Sequence, residues 1–296
     1  MNQAFRGKYG IIKNEDIIPG IYELCVEAPE IAQGAAAGRF VNIYLPGGAM
    51  LLPRPVSIAD ARDGALTLVY GIVGAGTKAL AELTAGCGLE VMGPMGTGFF
   101  DYPGSPTDAF PAEVFREEYE ILLIGGGVGI PPLHFAARML RAAVRGRVKI
   151  RAVLGFREYP WYTKEFEHVC DEVLIASETE GLAPFHGNVI GLLEKAYTDK
   201  EGVGLALACG PRPMLAAASA WCGSRGIPLR ISLEERMGCG YGACAGCTAG
   251  TRPLNDESKP QNGPAAADAA GIIKKKVCVH GPVFWADEVI WQRIEA

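Results

Sequence analysis

Residues 121–140 read ILLIGGGVGIPPLHFAARML, and this stretch decides how the middle of the chain folds. Its first four apolar residues predict a buried strand, the glycines at 125–127 predict a tight turn, and the residues from Pro131 onward predict a helix. This order is typical of a parallel sheet covered by helices. The glycines, the prolines and Arg138 also interrupt the apolar run, so we do not expect a membrane span.

The chain beyond this stretch repeats the alternation of apolar strands and helices. Further strands are predicted at residues 148–156, 172–178, 203–210 and 228–234, with a helix at 212–226. We therefore expect a parallel α/β domain of the nucleotide-binding type over residues 104–232. Fold class alone does not prove a ligand.

The chain before this stretch has a different pattern. Short β-rich runs separated by Gly, Pro and Asp fill residues 1–103, which predicts an antiparallel β-barrel or sandwich, and we take the barrel. One segment of this part, residues 77–86, is helical in pattern and is predicted to end on Gly86.

A third segment, residues 233–296, carries a dense group of cysteines and glycines. Cys239, Cys244 and Cys247 follow the C-x4-C-x2-C spacing of plant-type [2Fe-2S] clusters, and Cys278 follows after a long insertion. The interspersed glycines lack the Cβ atoms that would keep the backbone from wrapping a cluster. A structural zinc site and unligated thiols remain the alternatives, although zinc prefers paired C-x2-C motifs and one such pair is present.

The remainder of the third segment offers few further ligands. Residues 249–271 are polar and rich in Ala, Pro and Gly, which predicts a loop. His280 lies two residues after Cys278 and is predicted to be a turn residue rather than a ligand.

Charge and the amino terminus exclude several classes of function. A net charge of −5 gives no electrostatic footprint for nucleic acid or an anionic membrane. Residues 1–16 show no secretory signal, so we expect a cytoplasmic protein. In a reducing compartment the nine cysteines are explained by burial, redox chemistry or metal ligation rather than by disulfides.

Four shorter motifs suggest nucleotide binding, and three of them have an ordinary structural alternative. RPVS at 54–57 would also start an edge strand, and GAGTKAL at 74–80 would also start a helix. The turn at 124–133 has the strand–turn–helix context of a phosphate-binding loop but departs from G-x-G-x-x-G. ACGPRPML at 208–215 places Cys209 at a strand end, where such sheets bind ligands, but Cys209 would also be an ordinary buried thiol.

Together these motifs resemble the ferredoxin reductase superfamily. With the cysteine segment placed after the nucleotide-binding unit, they closely resemble the electron-transfer subunits of type B dihydroorotate dehydrogenases, from about residue 5 to about residue 290. The resemblance implies FAD at the barrel, NAD at the sheet and a [2Fe-2S] cluster on Cys239, Cys244, Cys247 and Cys278. The implied FAD residues are Arg54, Pro55, Val56, Ser57, Val69, Tyr70, Gly71, Gly76 and Thr77, and the implied NAD residues are Gly125, Gly126, Gly127, Gly129, Cys209, Gly210 and Pro211.

The resemblance also implies roles for individual groups. Arg54 would pair with the pyrophosphate, Ser57 would hydrogen-bond the edge of the flavin ring, and the amides of Gly76 and Thr77 would bind phosphate. No residue is assigned as catalytic; Cys209 and Glu234 are the candidates beside the flavin and nicotinamide. Glu235 is expected near the flavin with Glu234, although a solvated pair at a strand end is the alternative.

The activity implied by the resemblance is shared with a second protein. Electrons from dihydroorotate would pass from an FMN-containing catalytic subunit through the cluster and FAD to NAD, in pyrimidine (UMP) biosynthesis. FAD belongs between the two because a cluster moves single electrons whereas NAD accepts a hydride. The chain has no (β/α)8 pattern, so we expect the dihydroorotate site on the partner, in a heterotetramer with two copies of each subunit.

Two other functions fit much of the same pattern. A flavin and iron–sulfur subunit of another redox complex, such as a cytoplasmic hydrogenase or a ferredoxin-NAD(P) oxidoreductase, would share nearly all of these motifs. A zinc-stabilised scaffold that has kept a reductase fold would share the fold alone. The choice of NAD over NADP is also open at this stage, because Arg157 and Lys164 offer charge for a 2′-phosphate without deciding it.

Overall fold

The chain forms a barrel, an α/β unit and a short cysteine-bearing segment in that order. The computed structural model describes residues 3–47, 50–101, 110, 115–116, 118–144, 148–198, 202–254, 267–268 and 271–291.

Six antiparallel strands close the amino-terminal barrel. They are β1 (Phe5–Ile18), β2 (Ile21–Glu27), β3 (Phe40–Tyr44), β4 (Arg54–Arg62), β5 (Ala65–Gly71) and β6 (Gly88–Met95), joined in part by helices α1 (Pro29–Gln33) and α2 (Ala75–Ala81). Their order around the barrel is β1-β2-β5-β4-β3-β6. Alternate side chains fill the interior: Leu89 and Val91 of β6 and Leu66 and Leu68 of β5 are fully buried.

The helix of this unit is shorter than the sequence predicts. It was expected over 77–86, but α2 begins at Ala75 and ends at Ala81, with Glu82 as its C-cap. Gly86 instead has φ 85° in the turn that leads into β6, and its N–H donates to the carbonyl of Ile11. Glycine stands there because the turn needs a left-handed backbone.

A parallel sheet forms the second unit. Its strands are β7 (Glu120–Gly126), β8 (Lys149–Phe156), β9 (Glu172–Ser177), β10 (Phe185–His186), β11 (Val203–Cys209) and β12 (Leu229–Ser232). They run in the order β10-β9-β8-β7-β11-β12. Every residue of β7 and β11 is buried, as expected for central strands covered on both faces.

In the ranges that the structure describes, four helices accompany this sheet. They are α3 (Ile130–Val144), α4 (Lys164–Glu167), α5 (Val189–Ala196) and α6 (Arg212–Arg225). A 3-10 turn over Gly127–Gly129 joins β7 to α3, and α3 also packs on β4 of the barrel. Arg138 of α3 pairs there with Asp60, which ties the two units together.

The cysteine-bearing segment is anchored to both units. It contains a two-stranded sheet of β13 (Thr248–Thr251) and β14 (Ile273–Lys276), a short helix α7 (Val277–His280) and strand β15 (Val283–Trp285). Strand β15 pairs antiparallel with β12 and so extends the sheet of the second unit. Thr97, at the end of the barrel, donates its N–H to the carbonyl of Gly281 at 2.6 Å.

The predicted fold class is confirmed: a closed antiparallel barrel is followed by a parallel α/β sheet and the cysteine-bearing segment. The limits 1–103, 104–232 and 233–296 stay a prediction. The predicted loop 249–271 opens with β13, and its residues 255–266 and 269–270 lie outside the described residues. Among the helices of the described ranges, none has the length and apolar character needed to cross a membrane.

Candidate functional site

A cleft of about 340 Å³ opens between the barrel and the carboxyl ends of β7 and β11. Open parallel sheets bind ligands at this edge. The predicted residues that line this main cleft are Arg54, Pro55, Val56, Ser57, Val69, Tyr70, Gly71, Thr77, Gly126, Gly129, Cys209, Gly210, Pro211, Glu234 and Glu235. Of the other predicted residues, Gly76 packs against Arg54, Gly127 lines a second cleft and Gly125 is buried within β7.

Arg54 supplies a cation at the barrel side of the main cleft. Its Nη1 donates to the carbonyls of Leu52 at 2.9 Å and Pro53 at 3.2 Å. The ion pairs formed within the described residues do not include Arg54. A Cβ on Gly76 would lie 2.0 Å from Arg54 Nε, so the glycine lets the guanidinium lie on the start of α2. Nη2 donates to Met50 Sδ at 3.4 Å, and the guanidinium places a positive charge on the wall of the cleft, which suits a phosphate.

Tyr70 lines the main cleft, and contacts with Asn14 and Tyr22 hold its side chain in place. Its hydroxyl donates to Oδ1 of Asn14 at 2.9 Å, and its ring stacks on Tyr22 with 5.7 Å between centroids. Burial raises the pKa of Tyr70 to about 12, so the hydroxyl stays a donor at neutral pH. Asn14 also donates to the carbonyls of Leu80 and Leu83 at 2.8 Å each, and so ties this wall to the end of α2.

The sheet side of the main cleft depends on a close approach of two backbones. A Cβ on Gly129 would lie 2.5 Å from the carbonyl carbon and oxygen of Cys209 and 2.6 Å from the nitrogen of Gly210. Glycine at this position therefore lets the turn after β7 touch the end of β11. Burial raises the pKa of the Cys209 thiol to about 12, so it is a neutral group at pH 7.

The linker from the sheet to the cysteines closes the third side of the main cleft. Leu233, Glu234, Glu235 and Met237 all line it, which places both predicted glutamates at this site. Glu235 is also paired with Arg212, the first residue of α6. The linker is therefore held against the edge of the sheet that borders the main cleft.

A second cleft of about 620 Å³ adjoins the first and shares Gly126, Val128 and Pro211 with it. It follows the carboxyl ends of β7 and β8. Arg157, Glu158 and Glu178 line it, but Lys164 does not. Two carboxylates and one guanidinium thus stand where the sequence offered two cations.

The four cysteines meet as two pairs. Cys244 lies against Cys239 and Cys278 lies against Cys247, with the N–H of the second residue of each pair within 3.5 Å of the sulfur of the first. Cys247 and Cys278 are buried, at 2% and 3% exposure, whereas Cys244 is exposed. The long insertion therefore does not keep Cys278 away from the other three.

Backbone N–H groups point at the sulfur atoms. Cys244 N–H donates to Cys239 Sγ at 3.4 Å, Gly246 N–H to Cys244 Sγ at 3.4 Å and Cys278 N–H to Cys247 Sγ at 3.5 Å. Desolvation raises the pKa of Cys239, but the backbone N–H groups of Cys244, Tyr241 and Ala243, with the Cys244 side chain, outweigh it and lower that pKa to about 6. Burial and the neighbouring Cys247 thiol raise the pKa of Cys278. The donor-rich loop suits negatively charged sulfur.

The paired arrangement of the cysteines suits a [2Fe-2S] cluster. A [2Fe-2S] cluster takes two thiolates at each of two irons. Cys239 with Cys244 and Cys247 with Cys278 fit this arrangement, because an N–H of each pair lies within 3.5 Å of its partner's sulfur.

Cys278 is positioned by the hairpin and by α7. Val277 N–H donates to the carbonyl of Cys247 at 2.9 Å, and Lys276 Nζ donates to the carbonyl of Gly242 at 2.6 Å. His280 Nδ1 accepts from Lys276 N–H at 2.9 Å. His280 therefore serves the turn around α7, as predicted from the sequence.

Several site residues were not singled out from the sequence. Val128 of the glycine turn lines the main cleft, as do Phe40, Met237 and Pro282, and Asn42 reaches the cysteine loop from the barrel. No motif contains Phe40 or Asn42, so strand register and interdomain packing place these two residues.

Known proteins resemble this chain along nearly its whole length. Residues 234–263 match the family described as the iron-sulfur cluster binding domain of dihydroorotate dehydrogenase B. The "Dihydroorotate dehydrogenase B (NAD(+)), electron transfer subunit" of Caldanaerobacter subterraneus subsp. tengcongensis is 32% identical over 284 residues, covering 96% of this chain and 98% of the relative. The protein of the same name from Geobacillus thermodenitrificans is 35% identical over 290 residues, with the same coverage.

Solved structures show the same architecture. A structure of NADH-dependent reduced ferredoxin-NADP oxidoreductase, studied for flavin-based electron bifurcation, superposes with a TM-score of 0.75 at 26% identity, covering 96% of this chain and 90% of that one. The cytochrome b5 reductase domain of Ulva prolifera nitrate reductase superposes with a TM-score of 0.59 at 20% identity over 75% of this chain and 94% of that one, a likeness in fold.

The cleft between barrel and sheet, the paired cysteines and the near-full-length relatives agree, and the chain belongs to the family of the electron transfer subunits of dihydroorotate dehydrogenase B.

Proposed function

We propose that this chain binds FAD in the main cleft, NAD in the adjoining second cleft and a [2Fe-2S] cluster on its four paired cysteines. In this function it carries electrons from a catalytic subunit, where dihydroorotate is oxidised, to NAD⁺ in pyrimidine biosynthesis. Each site supports the proposal by its chemistry: the Arg54 cation lines the first cleft, a glycine turn lies between the two clefts, and thiols in two pairs form the third site.

One observation carries this proposal. Met237 lines the main cleft, and Cys239 follows two residues later. Two residues of extended chain span at most about 7 Å. A cofactor in the cleft and a cluster on Cys239 would therefore be close neighbours, as a relay of electrons requires.

The residues of the barrel would hold and orient FAD. Arg54 would pair with the pyrophosphate beside Gly76 and Thr77, while Tyr70 and Ser57 would bound the ring site. Bound FAD supplies the conversion between hydride transfer and single-electron transfer. Neutral Cys209 and the exposed Glu234 would lie at the same site, where the thiol would add bulk without charge.

The sheet would hold NAD through the glycine turn and the end of β11. Gly126, Gly129, Gly210 and Pro211 line the main cleft, and the turn continues into the second cleft. Glu158 and Glu178 in that second cleft favour NAD over NADP, because a carboxylate accepts hydrogen bonds from a ribose hydroxyl and repels a 2′-phosphate.

The cysteine loop would face the catalytic partner. Cys244 is exposed, and Tyr241 and Val279 beside it present apolar surface, being 55% and 43% exposed. Exposed apolar side chains around a redox group suit a protein contact. We propose an FMN-containing catalytic subunit as that partner, in a heterotetramer with two copies of each chain, working in the cytoplasm, where cysteine thiols stay reduced.

Reconstitution tests this function. The purified chain is expected to contain FAD, iron and acid-labile sulfide and to reduce ferricyanide with NADH, but to oxidise dihydroorotate only after the catalytic subunit is added. Absence of flavin and sulfide, or strong dihydroorotate turnover by the chain alone, would contradict the proposal. Cys222→Ser, a buried thiol on α6, is the control for the cluster cysteines and is expected to retain iron.

A second candidate is a flavin and iron–sulfur subunit of another redox complex. The superposition on the reduced ferredoxin-NADP oxidoreductase over 96% of the chain favours it. Co-purification separates the two functions, since a dihydroorotate-oxidising FMN protein retained on the tagged chain supports the first and a ferredoxin supports the second.

A further inference from the structure

Asn42 is a polar residue inside the barrel wall that no motif singles out. It lies on β3 and is fully buried. Its partners in the ladder are Pro55 on β4 and Met92 on β6. Since Pro55 lines the main cleft, Asn42 lies in the strand next to the wall of the flavin site.

The side chain of Asn42 reaches out of the barrel to the cysteine loop. Its Nδ2 donates to the carbonyl oxygen of Cys239 at 2.8 Å, across 197 positions of sequence. The reverse orientation of the amide would set Oδ1 against that carbonyl, and two acceptors cannot bond. The direction of this hydrogen bond is therefore determined by its partner.

The oxygen atom of the same amide destabilises the fold. Asn42 Oδ1 is buried and has no hydrogen-bond partner within the described residues. An unpaired buried acceptor destabilises a fold, and an apolar side chain of similar size would avoid this cost. The stability of the barrel therefore does not account for an amide at this position.

The cysteine loop is shaped to admit Asn42. A Cβ on Gly240 would lie 2.5 Å from Asn42 Nδ2 and 2.7 Å from Oδ1. Gly240 also has φ 74°, in the left-handed region that favours glycine. The sequence attributes this glycine to wrapping of a cluster, whereas the structure shows that it makes room for the barrel.

We propose that Asn42 is a positioning residue for the iron–sulfur cluster, which holds the backbone of its first ligand, Cys239, against the flavin-binding barrel. The inference rests on the proposed function, since it requires a cluster on Cys239. A residue that hydrogen-bonds a metal-ligating residue orients that ligand. It thereby controls the metal affinity and the electronic properties of the metal centre. The hydrogen bond of Asn42 therefore connects β3, the strand that borders the flavin cleft, to the loop that binds the cluster.

The test compares variants of two barrel asparagines in the full chain. Asn42→Leu removes the donor, and Asn42→Asp removes it while keeping the shape. Both are expected to release iron to a chelator roughly tenfold faster than the wild type, as is typical when such a partner is lost, and to change the EPR spectrum of the reduced cluster. Both are expected to retain FAD. Asn14→Leu is the matched control, since Asn14 contacts Tyr70 and α2, and it is expected to weaken FAD binding with wild-type iron release.

The outcomes separate this inference from the proposed function. Wild-type iron release and an unchanged EPR spectrum in both Asn42 variants overturn the role of Asn42 and leave the function standing. A wild-type chain without iron and sulfide overturns the function and this inference with it. Should Asn42→Leu fail to fold, Asn42→Asp decides, and Gly240→Ala, which pushes on the same amide, is expected to reproduce its effect.

Discussion

Replacing Gly129 by alanine tests the close approach that forms the sheet side of the main cleft. The new Cβ would lie 2.5 Å from the carbonyl carbon and oxygen of Cys209, which are backbone atoms and cannot rotate away. Ordinary contacts begin at 3.4 Å, so the turn after β7 and the end of β11 must separate by about 1 Å. The φ of Gly129 is not positive, so the obstacle is steric.

Both stability and activity should respond to this separation. Overpacking of this kind costs about 1–3 kcal/mol of unfolding free energy. A displacement of about 1 Å at a site that positions reactants lowers the rate by up to about a hundredfold. We therefore expect kcat/KM for NADH to fall between about tenfold and about a hundredfold in a stopped-flow assay with ferricyanide as acceptor.

The matched control is another glycine with space around it. A Cβ on Gly223, in α6, meets nothing within 4 Å. Gly223→Ala should raise the unfolding free energy by roughly 0.5–1 kcal/mol, since glycine is unfavourable inside a helix, and should keep the wild-type kcat/KM. If Gly129→Ala had the melting temperature and kcat/KM of the wild type, the close approach would not be what shapes this site.

Three further changes test other parts of the molecule. Arg54→Gln should weaken FAD binding roughly 10- to 100-fold, because a hydrogen bond to a charged group contributes about 1.5–3 kcal/mol; a fluorescence titration with the wild-type Kd would contradict it. Cys278→Ala should abolish the visible absorbance of the cluster while NADH–ferricyanide activity remains, and iron retained at the wild-type level would refute its role as a ligand. Burial lowers the pKa of His134 from 6.5 to about 4. Between pH 6.5 and pH 4 the unfolded state therefore binds more protons than the folded state. The free energy of unfolding then falls as the pH falls from about 6.5 to about 4. The loss is on the order of 3 kcal/mol, and urea titrations of His134→Leu should show a flatter dependence on pH; an equal slope in both proteins would exclude His134 as the source.

Local patterns predicted most of the architecture. The apolar runs of β7 and β11 and the glycine turn between β7 and α3 were found where the sequence places them. The predicted helix over 77–86 was wrong in its limits, because Gly86 serves the turn before β6 instead of ending α2. Helix ends depend on such neighbouring contacts, which a periodic pattern does not contain.

Residues of the predicted motifs line the main cleft, whereas the residues between the motifs lie elsewhere than the sequence alone indicates. Arg54 and Cys209 line one cleft, as motifs from a barrel and a sheet predicted. Glu158 and Glu178 lie in the second cleft in place of Lys164, because the connections after β8 and β9 bring the carboxylates to the sheet edge and leave the lysine outside.

The sequence by itself determined the local chemistry of this protein: the order of its units, the spacing of Cys239, Cys244 and Cys247, and the glycine turn after β7. These depend on neighbours a few residues apart, where periodicity and turn chemistry act. Tertiary structure alone decided that Cys278 pairs with Cys247 across the long insertion, that β15 joins β12, and that Asn42 meets Cys239 from 197 positions away. Such contacts arise from packing of whole surfaces, and no short stretch of sequence encodes both sides of them.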